Sequence, residues 1–133
     1  MSNIDFSRVK SAEARQQELR DRLHEQRRAR RSKAETSGFS YNGILFDSDR
    51  DSIMRINNAA TSALFAIATG TSWSVVWKSA GTEEVTLDAN GMLALQAALT
   101  AHGQACHNNS NFLKDAINTA QDPTSVDLES GWP

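Results

Sequence analysis

The stretch "SYNGILFDSDRDS", Ser40–Ser52, decides how the chain is read. Its first half alternates around Asn42-Gly43, the strongest short-range hairpin signal, because both residues tolerate the positive φ of a tight turn. Its second half places Asp47, Asp49 and Asp51 at alternate positions, as a calcium loop would. An EF-hand loop needs glycine at its sixth position and a bidentate glutamate at its twelfth. Counted from Asp47, those positions hold Ser52 and Asn58, and a cation, Arg50, sits between the aspartates. Helix capping accounts for the same residues better. Ser48 or Asp49 serves as the N-cap, and Asp51 complements the positive end of the helix from its first turn. Ser48-x-x-Asp51 is similar to a capping box with Asp in place of Glu. A hairpin handing on to a helix is therefore expected here, and no metal.

Downstream, residues 49–69 carry Ile53, Ile56, Ala60, Leu64, Ile67 and Ala68 at helical spacing, with Ala63 and Phe65 widening the face. This predicts a well-buried helix ended by Gly70. Residues 73–87 predict a second hairpin. Trp73, Val75 and Trp77 alternate, as do Val85 and Leu87, around a turn at Ala80-Gly81-Thr82. Asp88 is placed to cap a long helix over 89–120, with Gly103 and the polar run His107–Asn111 as places where it could break. Asp122-Pro123 stops it. The fold class expected is α+β: two β-hairpins forming one small antiparallel sheet, packed on two helices.

Upstream, residues 7–36 lack Gly and Pro and consist mostly of good helix formers, with Ser7 as a possible cap and Gly38 just past the end. The apolar row is thin: Phe6, Val9, Ala12, Leu19 and Leu23, broken by Gln16 and ending at Leu23. So polar a helix predicts a solvated arm or half of an interface rather than core, and a short coiled coil through Phe6–Leu23 is compatible with the spacing. Charge divides the chain in the same way. Residues 1–36 carry ten Lys/Arg against six acids, and residues 37–133 four against ten, so +4 and −6 make the net −2. The expected organisation is a projecting basic helical arm, residues 1–36, for docking or oligomerisation, and a compact domain, residues 37–133. Removing the arm would then leave the body folded.

Chemistry is sparse. With 133 residues and 39% apolar composition, one domain with a modest core is expected. The single cysteine, Cys106, excludes an intrachain disulfide. No run of about 18 apolar residues predicts a membrane span, and no apolar segment follows the first charges as in a secretory signal. His102, Cys106 and His107 resemble a ligand cluster, but zinc usually takes four ligands and the third histidine, His24, lies in the arm. A cysteine nucleophile one helical turn from its base is poor geometry for acyl transfer. No phosphate loop, serine elbow or paired catalytic carboxylates occur. The chain is expected to be no enzyme and to need no cofactor.

The cluster "EQRRARRSK", Glu25–Lys33, is the most charged feature. Arg27, Arg28, Arg30 and Arg31 could meet phosphates, but no aromatic residue is interleaved to stack on bases and the whole arm is only +4. A cationic helix end or a dock for an acidic protein surface explains it as well. Phe6, Val9, Leu19 and Leu23, rimmed by these arginines, are the candidate docking residues. Trp132, nearly terminal, is the candidate interface anchor.

Four segments carry a family resemblance: "GFSYNGILFDSDRDSIMRI", "WSVVWKSAGTEEVTLDANGMLAL", "FLKDAINTA" and "LESGWP". In that order they resemble a small domain of unknown function found in bacteriophage tail proteins, over roughly residues 37–133. The resemblance implies a multi-copy or homo-oligomeric structural protein of the virion tail, baseplate or fibre-attachment region, with other tail or fibre proteins as partners. It transfers no catalytic residue. The alternatives are a tail-fibre assembly chaperone absent from the mature virion, and a small nucleic-acid-binding regulator acting through Arg27–Lys33.

Overall fold

The structure, a computed structural model, describes residues 11–133. Phe6, Val9 and the expected helix start at Ser7 lie outside the described residues. The elements run α1 Ala12–Glu35, β1 Phe39–Tyr41, β2 Ile44–Phe46, α2 Arg50–Thr69, β3 Ser74–Lys78, β4 Glu84–Asp88 and α3 Ala89–Thr119, then a short 3-10 turn, Pro123–Ser125.

The opening stretch folds as its turn residues dictate. Asn42 and Gly43 both take positive φ, 50° and 76°, so β1 and β2 close in the primed type of turn that matches strand twist. Phe39 pairs with Phe46, and both rings are buried. Asp49 caps α2, accepting from the Ser52 amide and from the Ser52 hydroxyl. In β3 and β4, Val75 pairs with Leu87 and Trp77 with Val85, which turns these four side chains toward the helices.

The α+β class is as expected, but the hairpins do not merge into one sheet. They remain two separate two-stranded sheets. A single backbone hydrogen bond, from the Ala80 amide to the Leu45 carbonyl at 2.8 Å, ties the second to the first. Strands of three residues offer too short an edge for a further ladder.

Helix α3 is the spine. Its 31 residues run unbroken through Gly103 and the polar segment at 107–111. Met92, Leu95 and Leu99 meet the hairpins and α2, while Cys106, Leu113 and Ile117 continue the buried row toward the other end. Each such side chain, fully buried, stabilises the fold by roughly 1.5–3 kcal/mol.

Helix α2 lies on α3 with a different phase from the one expected. Its buried row is Ser52, Ile56, Ala60, Ala63 and Ala66. Small residues there let the two helices approach closely, as ridges seat in grooves. Leu64 and Phe65, counted into the core from spacing, are 57% and 71% exposed, and Ile67 and Ala68 are exposed as well.

Helix α1 does not project as a free arm. It lies antiparallel along α3, with Arg20 at Ile117, Arg27 at Ser110 and Ala34 at His102. Its exposure changes at one point: every residue of Ala12–Glu18 is exposed, and from Leu19 onward the helix packs. The expected boundary at residue 36 therefore cuts through packed structure, and only the first two turns of the helix extend past the end of α3.

Candidate docking surface

The residues expected to form a docking face are divided by the packing of α1. Its α3-facing side continues the apolar row of Leu19 and Leu23 with Arg27 and Ala34, both buried. Leu19 and Leu23 are half-buried. Arg27, expected on the rim of a partner site, is 5% exposed. Its Nη1 donates to the Ser110 hydroxyl at 2.5 Å and lies 3.5 Å from the Ser110 carbonyl, and its Nε donates to His24 Nδ1 at 3.3 Å. Accepting there fixes the His24 tautomer, so His24 Nε2–H donates to Asn118 Oδ1 at 2.8 Å. Burial, then the neighbouring Arg28 and Arg31, pull the Arg27 pKa below its ordinary value. A buried cation held only by neutral acceptors is a packing element, unavailable to an outside ligand.

Arg30 and Arg31 are also engaged within the chain. Arg30 Nε meets Glu129 Oε2 at 2.7 Å, and its guanidinium carbon sits 5.3 Å from the centroid of the Trp132 ring. Trp132 in turn donates from Nε1 to the Leu128 carbonyl at 2.8 Å. The expected interface anchor is thus half-buried in an internal clamp that folds the tail over α1, with Asn109 holding the Ser130 carbonyl at 2.9 Å. A cation stacked on an indole is worth about 0.5–1 kcal/mol at an exposed site. Arg31 Nε is buried without a hydrogen bond, 3.7 Å from Glu35 Oε1. Of the four arginines in the cluster, only Arg28 is exposed, as are Lys33 at the cluster's end and Arg15 and Arg22 earlier on the helix.

The histidine and cysteine cluster is likewise spent on packing. His102 Nε2 lies 2.9 Å from the Ala34 carbonyl and 3.8 Å from Cys106 Sγ. His107 Nε2 is 3.8 Å from Glu35 Oε1. Among the described residues, no three His, Cys, Asp or Glu side chains converge as a metal site. Cys106 is fully buried, and that burial, followed by the charge of Glu35 and against the pull of Arg30, pushes its thiol pKa up. A thiol so held is a core hydrophobe.

One residue that sequence reasoning placed wrongly joins these parts. Ser48, read as a possible cap of α2, instead donates to the Glu35 carbonyl at 2.6 Å and accepts from the Gly38 amide at 2.8 Å. It is 1% exposed. It locks the C-terminal end of α1 to the outgoing end of the first hairpin. Gly38 itself has φ of 104°, and a Cβ there would come within 3.1 Å of the Phe46 carbonyl oxygen.

Two features stand out on a surface that also exposes Leu45, Val76 and Phe112. The first is the N-terminal pair of turns of α1, exposed on every side through Glu18. The second is the outer face of α2, where Met54, Leu64 and Phe65 are each more than half exposed. Beside Phe65, a groove of about 500 Å³ runs between α2 and the segment leading to β3, with Ala66 and Trp73 in its wall. Among the described residues no helix is long and apolar enough to cross a membrane.

Comparison with known proteins adds one relation. No curated protein and no solved structure matches the chain. A family model matches residues 18–130, beginning where α1 starts to pack and ending just before Trp132. By that match the chain belongs to the family described as a domain of unknown function, DUF4376.

Proposed function

We propose that the chain is a structural docking module of a bacteriophage tail, in the baseplate or fibre-attachment region, and that it engages its neighbour through the N-terminal end of α1. The tail context rests on the resemblance of the four sequence segments. The mode of engagement rests on one observation: α1 runs past the last turn of α3, so that Ala12–Glu18 are exposed on every side. A helical end held rigid by its own continuation inside a body is preorganised to enter a groove or bundle, because little ordering entropy remains to be lost on binding. Phe6 and Val9 precede this segment in the sequence and would supply its apolar anchors.

The reading predicts that a variant lacking residues 2–18 folds, with the circular dichroism and urea midpoint of the full chain, but is absent from purified particles in which the full chain is present by mass spectrometry. Incorporation of the shortened chain at parental copy number would refute docking through this segment. Absence of the full chain from particles would refute the structural role and favour the assembly chaperone. The regulator reading is weakened by geometry, since Arg27, Arg30 and Arg31 are occupied within the chain.

A further inference from the structure

Helix α2 carries a second stripe on the side away from the core. Met54, Asn58, Thr61, Phe65 and Ala68 follow one another at spacings of four and three residues, and all five are exposed. That alternation is the seam of a helix that packs on another helix. The buried row on α2 is a different set, so the stripe is not an extension of the core.

Two features of the stripe identify its occupant. It is close to symmetric about Thr61: Met54 and Ala68 each lie seven residues away, and Asn58 and Phe65 lie three and four residues away on opposite sides. Placed antiparallel on a copy of itself about a two-fold axis through Thr61, it sets Met54 level with the Ala68 position of the second copy and Phe65 level with the Asn57 position, one residue from Asn58. Each large side chain then meets a smaller one, which is the interdigitation that packing requires. The second feature is charge. From Ile56 to Trp77 the chain has no charged residue, and the last turn of α2 holds no cation to complement its negative end. The charges of α2 sit at its start, in Arg50, Asp51 and Arg55. The antiparallel arrangement brings Arg50 and Arg55 of each copy to the negative end of the partner's helix, and brings no like charges together. A parallel arrangement would do the opposite, setting Arg55 beside the partner's Arg55.

We propose that the outer face of α2 is an isologous dimer interface, in which two copies of this chain pair antiparallel along helices about 30 Å long. The inference is independent of docking through α1, which packs along the C-terminal half of α3 and contributes nothing to this stripe. It gives the exposed Phe65 ring its cover and places it beside the groove bounded by Trp73.

The test uses the full chain in sedimentation equilibrium over a range of concentrations, with Phe65→Glu as the variant. Phe65 is 71% exposed in the single chain, so the substitution leaves the fold intact, as circular dichroism will show. The expected result is a dimer for the parent and association weakened by about a hundredfold or more in the variant, because each copy would bury an unpaired carboxylate. Register is read independently by spin labels at single cysteines replacing Asn58, Thr61 or Ala68, the buried Cys106 remaining unlabelled. The label-to-label distance should be shortest at Thr61 and longest at Ala68. A monomer at several hundred micromolar, a dimer indifferent to Phe65→Glu, or equal distances at the three positions would each overturn the proposal.

Discussion

Arg27→Ala separates a docking arginine from a packing one. Three losses and one relief set its size. The substitution withdraws two methylenes of the stem, Cγ and Cδ, from a buried site, at about 0.8 kcal/mol each. It leaves the fully buried Ser110 hydroxyl without its 2.5 Å donor, which costs about 1–3 kcal/mol. His24 Nδ1 loses a weaker donor at 3.3 Å. Against these stands relief from burying a cation that Arg28 and Arg31 already repel. The net expectation is a loss of about 3 kcal/mol, or about 10 °C in Tm for a domain of this size. Arg27→Met keeps the stem and removes the charge, so it should cost less than half as much. Ser110→Ala strands the guanidinium and should cost about 2 kcal/mol. The double variant Arg27→Met with Ser110→Ala should then be more stable than Ser110→Ala alone, since no buried polar group is left unmatched. Urea unfolding followed by tryptophan fluorescence measures all four. If Arg27→Ala shifted stability by less than about 0.5 kcal/mol, the ordinary range for a surface substitution, the seating of α1 on α3 would be refuted.

Ser48→Ala should cost about 2–3 kcal/mol by the same unfolding assay, because the Glu35 carbonyl and Gly38 amide both lose their partner; recovery with Ser48→Thr but not Ser48→Val would assign the loss to the hydroxyl. Cys106 should resist alkylation by iodoacetamide in the native chain, even at pH 8.5, and react fully in urea; rapid native labelling would contradict its burial.

The turn chemistry was fully legible in the sequence. Asn42-Gly43, Asp49, Asp88 and Gly70 do what their backbone preferences dictate, because a cap or tight turn is decided by a few adjacent residues. Both hairpins and the long helix followed from alternation and periodicity. What failed was the assignment of faces. On α2, apolar residues occupy more than one side, so periodicity alone could not tell Ala60 and Ala63, which meet α3, from Leu64 and Phe65, which do not. On α1, the apolar row seemed to stop at Leu23 because the next positions in phase are arginines. Ala34, eleven residues beyond Leu23 and in phase with it, was the signal that the row resumed. A long arginine whose polar end finds acceptors across a helix pair does the space-filling of a leucine, and hydropathy does not register it. The docking residues suffered accordingly: Arg27 and Trp132 pack within the chain, while Phe65 and Ala68 of the exposed stripe on α2 were counted into the core.

The seating of α1 on α3 has a consequence in time. Arg20 finds its carbonyls 97 and 100 residues further along the chain, at Ile117 and Ala120. During synthesis the first helix emerges from the ribosome long before its cover exists. Its inner face, with Leu23, Arg27 and Ala34, must wait until α3 has been made almost to its last turn. Local pairings, the two hairpins and α2 against the first half of α3, can form earlier, and the closing step is a long-range docking that is slow by topology. A nascent chain stalled before residue 110 would therefore display α1 as the detached arm that its sequence suggests, and only release of the last turns of α3 would convert that arm into a wall of the domain.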